Sequence, residues 1–137
     1  MGPATGTLLE TMILEAPVAF ALFDIDGRYR LSNQALADIH RIPVEDHRGR
    51  RPTDILPAPI GERIEASLRR VLTTDQPIVD ADLVADVGES GGPRHYELRW
   101  FPTHAPDGRI VGAAVFVADI TARHAADEAL RRSQSRA

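Results

Sequence analysis

Tyr96-Glu-Leu-Arg-Trp-Phe-Pro102, Asp107-Gly108 and Ile110-Val-Gly-Ala-Ala-Val-Phe-Val-Ala118, closing on Asp119-Ile-Thr121, decide the fold. Strand side chains alternate between faces, so Tyr96, Leu98 and Trp100 share one side of a strand over His95–His104. Ala113, Val115 and Val117 share one side of the next, Ile110–Ala118. The Asp107-Gly108 pair is a tight-turn signal that folds the two into an antiparallel hairpin. Asp119 and Thr121 then offer side-chain oxygens to the unpaired amides of a helix start, which predicts a helix over Ala122–Ser135. Ala126, Leu130, Ser133 and Ala137 form a thin seam along that helix, like a coiled-coil edge.

Upstream, Ile78–Val87 reads as a third strand, with Asp80, Asp82 and Asp86 alternating onto one face, and Gly88–Pro93 as the turn after it. Ile60, Ile64, Leu68, Val71 and Leu72 recur at helical spacing and predict a long helix over Ile60–Thr74. Residues 43–59 hold Pro43, Pro52, Pro57 and Pro59 and read as an irregular connector with at most a helical turn or two. Asn33 is placed to cap a helix whose apolar side is Ala35, Leu36, Ile39 and Ile42, with Pro43 as its stop. Val18–Phe23 and Tyr29–Ser32 flank Asp26-Gly27 as a hairpin in which Asp24 and Asp26 are turn residues. Leu8, Leu9, Met12 and Ile13 suggest a short first helix closed by Pro17. The fold class that follows is α+β: a five-stranded antiparallel sheet with helices covering one face, plus N-terminal and C-terminal helices. Residues 1–7 form a loose terminus, 8–121 the domain, and 122–137 the start of a C-terminal helix.

At 137 residues the chain is one domain's worth, and no internal repeat is visible. It has no cysteine, and all sixteen of its basic residues are arginine. Disulfides, thiolate metal sites, cysteine nucleophiles, lysine Schiff bases and a lysine-bearing phosphate loop are therefore excluded. A net charge of −4 with dispersed arginines argues against a nucleic-acid partner. No apolar run reaches the length of a membrane span and no secretory signal is present, so the expectation is no membrane partner and a cytoplasmic location.

Catalytic and metal-ligating patterns are also missing. His40, His47, His95, His104 and His124 are scattered, and no pair has the i, i+4 spacing of a helical zinc motif. His95 and His104 fall at opposite ends of one strand. His40 reads as a surface or self-satisfied helix histidine. The Asp80, Asp82, Asp86 row reads as a solvated strand face. No catalytic residue and no metal ligand are expected.

Together the segments resemble a PAS domain over residues 8–135. The residues that carry the likeness are Phe23-Asp-Ile-Asp-Gly-Arg28 before the strand leading to Asn33, and Gly49-Arg50 with Asp54-Ile-Leu-Pro57 before the long helix. Tyr96–Pro102 ahead of Asp107-Gly-Arg-Ile-Val-Gly112, and Asp119-Ile-Thr121 running into Ala122–Arg132, complete it. The resemblance implies a regulatory sensory and dimerisation module of a bacterial signalling protein. Its output would be a C-terminal histidine kinase, phosphatase, cyclase or transcription regulator, expected to follow this chain. It implies a pocket between sheet and helices with an apolar lining: Ala21, Phe23, Leu36, Ile39, Ile64, Leu68, Tyr96, Leu98, Trp100, Val115 and Val117. Ala114 and Phe116 would face outward. A small apolar or aromatic noncovalent ligand would suit the pocket. Flavin-adduct chemistry lacks its cysteine, and haem lacks a histidine on Ile60–Thr74, so no cofactor is expected. Asp119, Ile120 and Thr121 would relay strain in the sheet to the last helix, and a homodimer is implied. The rival reading is a small cone-shaped α+β isomerase or dehydratase-like enzyme. It would need an acid–base pair inside the pocket, where Tyr96 has no evident acidic partner.

Overall fold

A computed structural model describes residues 11, 18–85 and 92–136. The helix expected over Leu8–Ile13, apart from Thr11, lies outside the described residues, as does most of the Gly88–Pro93 turn.

Strands β1 (Ala19–Asp24) and β2 (Tyr29–Ser32) form the first hairpin. Its turn closes through the Gly27 amide donating to the Asp24 carbonyl at 3.0 Å, with Gly27 at φ +84°. The Asp24 carboxylate accepts from the amides of Asp26 and Arg28, the turn role its sequence position suggests. Helix α1 (Gln34–His40) starts at Asn33, whose side chain accepts from the Leu36 amide at 3.1 Å and from the Phe20 amide at 3.0 Å. One buried asparagine thus caps a helix and ties it to β1. The helix ends before Pro43 is reached, because Arg41 turns left-handed at φ 60°.

The proline-rich connector carries a 3-10 turn (Val44–Asp46) and one short helix, α2 (Pro52–Ile55). Helix α3 (Ala58–Thr74) begins two residues before the expected Ile60. Pro57 and Pro59 sit in its cap and first turn, where a missing amide proton costs nothing. Gly61 lets α3 cross α2 closely: a Cβ there would lie 2.9 Å from the Thr53 Cα. Strands β3 (Ile78–Ala85), β4 (Arg94–His104) and β5 (Ile110–Asp119) follow, then helix α4 (Thr121–Arg136).

The sheet order is β2-β1-β5-β4-β3, with every neighbouring pair antiparallel. This is the expected α+β architecture. The chain crosses from the outer strands to the far edge through α1–α3, which cover one face. Ile64, Leu68 and Val71 of α3 and Leu36 of α1 pack on Ala19, Ala21, Phe23, Leu98, Trp100, Ala113 and Val115. Tyr96, Leu98 and Trp100, and Ala113, Val115 and Val117, each share the inner face, with Tyr96 and Val117 only half-buried. Gly112 sits opposite Asp24 in the β1–β5 register, and a Cβ there would lie 2.0 Å from the Phe23 carbonyl oxygen. Only glycine fits that contact.

On the outer face, the Phe20 ring lies 4.9 Å from that of Phe116, tilted by 55°, and Phe116 meets Phe101 edge-on at 6.1 Å. Phe116 and Phe101 are each 40% exposed, whereas Ala114, expected to face outward with Phe116, is buried. The expected aspartate row is broken. Asp80 pairs with Leu98 and Leu83 with Tyr96, so β3 spends three steps where β4 spends two. That bulge moves Asp82 to the opposite face from Asp80. Asp80 instead binds Arg63 of α3, whose Nε donates to its Oδ2 at 2.9 Å, while Asp86 lies outside the described residues.

Candidate functional site

The space between sheet and helices divides into a filled end and an open end. At the filled end, Phe23 lies 4.4 Å from the ring of Tyr29 and 5.6 Å from that of Trp100. Only about 20 Å³ remains open there, lined by Ala21, Phe23, Tyr29, Leu36, Trp100 and Val115 among others. The open end is a cavity of about 90 Å³ between Ile39, His40, Leu56, Ile60 and Ile64 of the helical layer and Leu83, Ala85, Tyr96, Leu98 and Val117 of the sheet. His40, Ile64, Leu98 and Val117 line both spaces.

Ten of the eleven pocket residues expected from sequence therefore line this space. Leu68 does not. It sits one helical turn beyond Ile64, over the β1–β2 turn, and borders a separate hollow with Ile25, Gly27, Arg51 and Leu72. Leu56, Pro57, Ile60, Leu83 and Ala85 were missed. The first three come from the proline-rich connector and the extended start of α3, where no periodicity marks an inward face.

His40 was also missed as a pocket residue. Its Nδ1 lies 2.9 Å from His47 Nε2, and His47 Nδ1 lies 3.0 Å from the Pro43 carbonyl oxygen. A carbonyl only accepts, so His47 carries its proton on Nδ1. With both rings neutral, His40 Nδ1–H donates to His47 Nε2, and the network assigns a lone pair to His40 Nε2. Burial and then the neighbouring His47 lower the His40 pKa from 6.5 to about 4. At neutral pH His40 is thus an uncharged acceptor on the pocket wall. Burial, then the Glu65 carboxylate, raises the Tyr29 hydroxyl. Trp100 supplies the complementary feature: its indole N–H is buried and meets no acceptor among the described residues. An unpaired buried donor costs about 1–3 kcal/mol.

The expected relay residues form one hydrogen-bonded joint between β4 and α4. The Ile120 amide donates to the His95 carbonyl at 2.8 Å, and the His95 amide donates to Thr121 Oγ1 at 2.9 Å. Thr121 Oγ1 in turn donates to Asp119 Oδ1 at 2.6 Å, and Asp119 Oδ2 accepts from Arg94 Nη2 at 2.6 Å. Burial opposes ionisation of Asp119, but the Thr121 hydrogen bonds and Arg94 outweigh it and hold the carboxyl below its usual value. The residue after His95 is Tyr96, which lines the pocket. Beyond this joint α4 stands largely in solvent, and Leu130 of the expected seam is 59% exposed.

A family model described as the PAS fold matches residues 15–125. The chain belongs to the PAS family. Among solved structures, the VqmA dimer of Vibrio cholerae, described as a LuxR-type receptor, superposes with a TM-score of 0.72 at 19% identity, over 85% of this chain and 52% of that one. A phage VqmA–DPO complex gives 0.73 at 18% identity, over 97% and 61%. The PAS domain of Bordetella pertussis BvgS gives 0.67 at 19% identity, over 98% and 99%. At these identities the likeness is one of fold. This PAS domain spans about half to three-fifths of the VqmA chains and nearly the whole of the BvgS domain. No curated protein matches it in sequence. The Vibrio VqmA structure is described in relation to target DNA, so the matches lend no support to the expectation of no nucleic-acid partner. No helix among the described residues is long and apolar enough to cross a membrane.

Proposed function

We propose that this PAS domain is a cytoplasmic, non-catalytic sensor that dimerises, binds a small molecule in the cavity under α3, and passes the change to an output domain through α4. The joint at His95, Asp119, Ile120 and Thr121 carries the reading. It fastens the base of α4 to the residue next to Tyr96 on the pocket wall. A ligand that shifts β4 therefore shifts the base of the helix. VqmA provides precedents for a dimer and for a bound small molecule in this fold.

The cavity's chemistry narrows the ligand. Its wall is mostly aliphatic and aromatic, with His40 as a neutral acceptor shared with the filled end, where the Trp100 N–H is left unpaired. A small, largely apolar or aromatic molecule with one donor for His40 would suit it. Pockets for drug-sized ligands usually hold about 300–1,000 Å³. A cavity of about 90 Å³ takes only a few heavy atoms unless its walls move aside. The enzyme alternative gains no acid–base pair here, since His40 is bonded to His47 and not to a carboxylate.

Two measurements test the proposal. Sedimentation of this chain at high micromolar concentration should show a dimer that weakens when residues 122–137 are removed. Native mass spectrometry of protein purified from its own host should show a mass above the bare chain. A monomer throughout, with a bare mass, would overturn the reading.

A further inference from the structure

The outer corner of the sheet holds a second cluster, separate from the pocket and independent of the sensor reading. Asp82 of β3, His95 of β4 and His124 of α4 bring one carboxylate and two imidazole nitrogens within 4.8 Å of one another. The bulge in β3 turns Asp82 toward this face. His95 Nδ1 lies 2.8 Å from Asp82 Oδ1, and His124 Nε2 lies 3.8 Å from Asp82 Oδ2. The two rings stack at 3.8 Å with 14° between their planes.

The geometry points to a site for a divalent transition-metal ion of the zinc class, held by Asp82, His95 and His124, that fastens the first turn of α4 to the sheet. Two imidazoles with one carboxylate suit zinc and its neighbours in the series and not calcium or magnesium, which take oxygen ligands. Three protein ligands leave a fourth position for water, and the Asp82 side chain is 42% exposed, so solvent reaches it. Donor atoms around a tetrahedral zinc sit about 3.3 Å apart, given bonds of about 2.0–2.1 Å. The widest present separation, up to 4.8 Å, needs up to about 1.5 Å of closure, and the stacked rings must turn out of parallel so that both lone pairs meet at one point. The Nδ1 proton of His95 that now donates to Asp82 moves to Nε2, leaving a neutral ring that ligates through Nδ1.

The surroundings favour such an ion. The neighbouring cations are each paired: Arg94 with Asp119, Arg123 with Glu97, and Arg63, which also donates to the Asp82 carbonyl at 2.8 Å, with Asp80. The backbone is already fixed, because the His124 amide donates to the Ile120 carbonyl at 2.8 Å and the His95 amide to Thr121. Two ligands belong to the sheet and one to the helix, so the ion binds only when α4 is docked. It then stabilises the docked state by mass action, and whatever undocks the helix weakens the metal to the same degree.

The test is a titration of the full chain, free of added histidines, with Zn²⁺ and with Co²⁺. One equivalent should bind, and the cobalt form should show the visible absorption of a four-coordinate nitrogen–oxygen site. His124→Ala and His95→Ala should each weaken binding by about 100-fold, the upper end of the 10–100-fold typical of losing a supporting residue. His104→Ala, which removes a histidine 2.6 Å from Asp75, should leave binding unchanged. Amide exchange over residues 121–128 should slow on adding Zn²⁺ to the wild type and not to His124→Ala. His124 lies on an exposed stretch of helix, so circular dichroism should show that variant folded. Absence of a one-equivalent step, undiminished binding by His124→Ala, or unchanged exchange in α4 would overturn the proposal.

Discussion

Two stacked histidine pairs sit on opposite sides of the same sheet, and their surroundings set them apart. His40 and His47 lie in the helical layer, ring centroids 5.2 Å apart, with His47 fully buried. Their hydrogen bonds end on the Pro43 carbonyl, a neutral acceptor. His95 and His124 lie at the outer corner, 3.8 Å apart, and their polar contacts end on the Asp82 carboxylate at the solvent edge. A carbonyl only accepts, so it fixes the tautomer of the ring that donates to it. A carboxylate at a wet edge offers a counter-charge to a metal ion. The same residue type therefore shapes a pocket wall on one face and forms a cation site on the other.

The largest expected difference is in stability. His47→Ala removes a buried ring and both its hydrogen bonds, leaving the His40 Nδ1–H unpaired, and should cost about 3 kcal/mol. His124→Ala removes a ring from a partly exposed helix and should cost no more than about 0.5 kcal/mol without metal. Urea unfolding of the two variants measures both values. Equal losses would break the contrast between a buried structural pair and a surface one.

The next effect is in pH. An unfolded His40 titrates near 6.5 and the folded one near 4. Between those values the unfolded chain holds the extra proton, so stability rises with pH across the window. The contribution is complete above about pH 6.5 and is lost as pH falls toward 4, amounting to about 3 kcal/mol. His40→Leu lowers stability everywhere because His47 Nε2 loses its donor, but it should flatten that slope. An unchanged slope would mean that His40 is not the group responsible.

How much of this was legible in the sequence depends on whether a feature lives within one element or between several. The Asp-Gly turns, the Asn33 cap, the strand alternation at Tyr96, Leu98 and Trp100, and the Asp119–Thr121 joint are local, and each appears where the residues suggested. The helix stop at Arg41 was not legible, because a left-handed arginine has no composition signal and Pro43 offered a louder one. The bulge between Asp80 and Leu83 was equally silent, and it alone decides which face Asp82 takes. Both histidine pairs escaped for the same reason. His40 and His47 meet across a connector with no period, and His95 and His124 meet only because α4 folds back beside β4. Spacing rules see ligands along one helix and miss those that three elements assemble.

The smallest effect falls on the joint that holds the outer pair in place. Thr121 Oγ1 accepts from the His95 amide and donates to Asp119, so it links strand, cap and helix with one hydroxyl. Valine has the same shape and neither bond. Thr121→Val should cost about 1 kcal/mol, the usual worth of such a cap. Because the loss is local, it should appear as faster exchange of the His95 amide, by about fivefold, more than as a lower global stability. The His40–His47 pair lies across the sheet and shares no hydrogen bond with Thr121, so the pH slope assigned to His40 should be untouched. If Thr121→Val changed that slope, the two faces would be coupled through β4. The helical joint would then read the state of the pocket wall directly, with no ligand-driven shift of the strand between them.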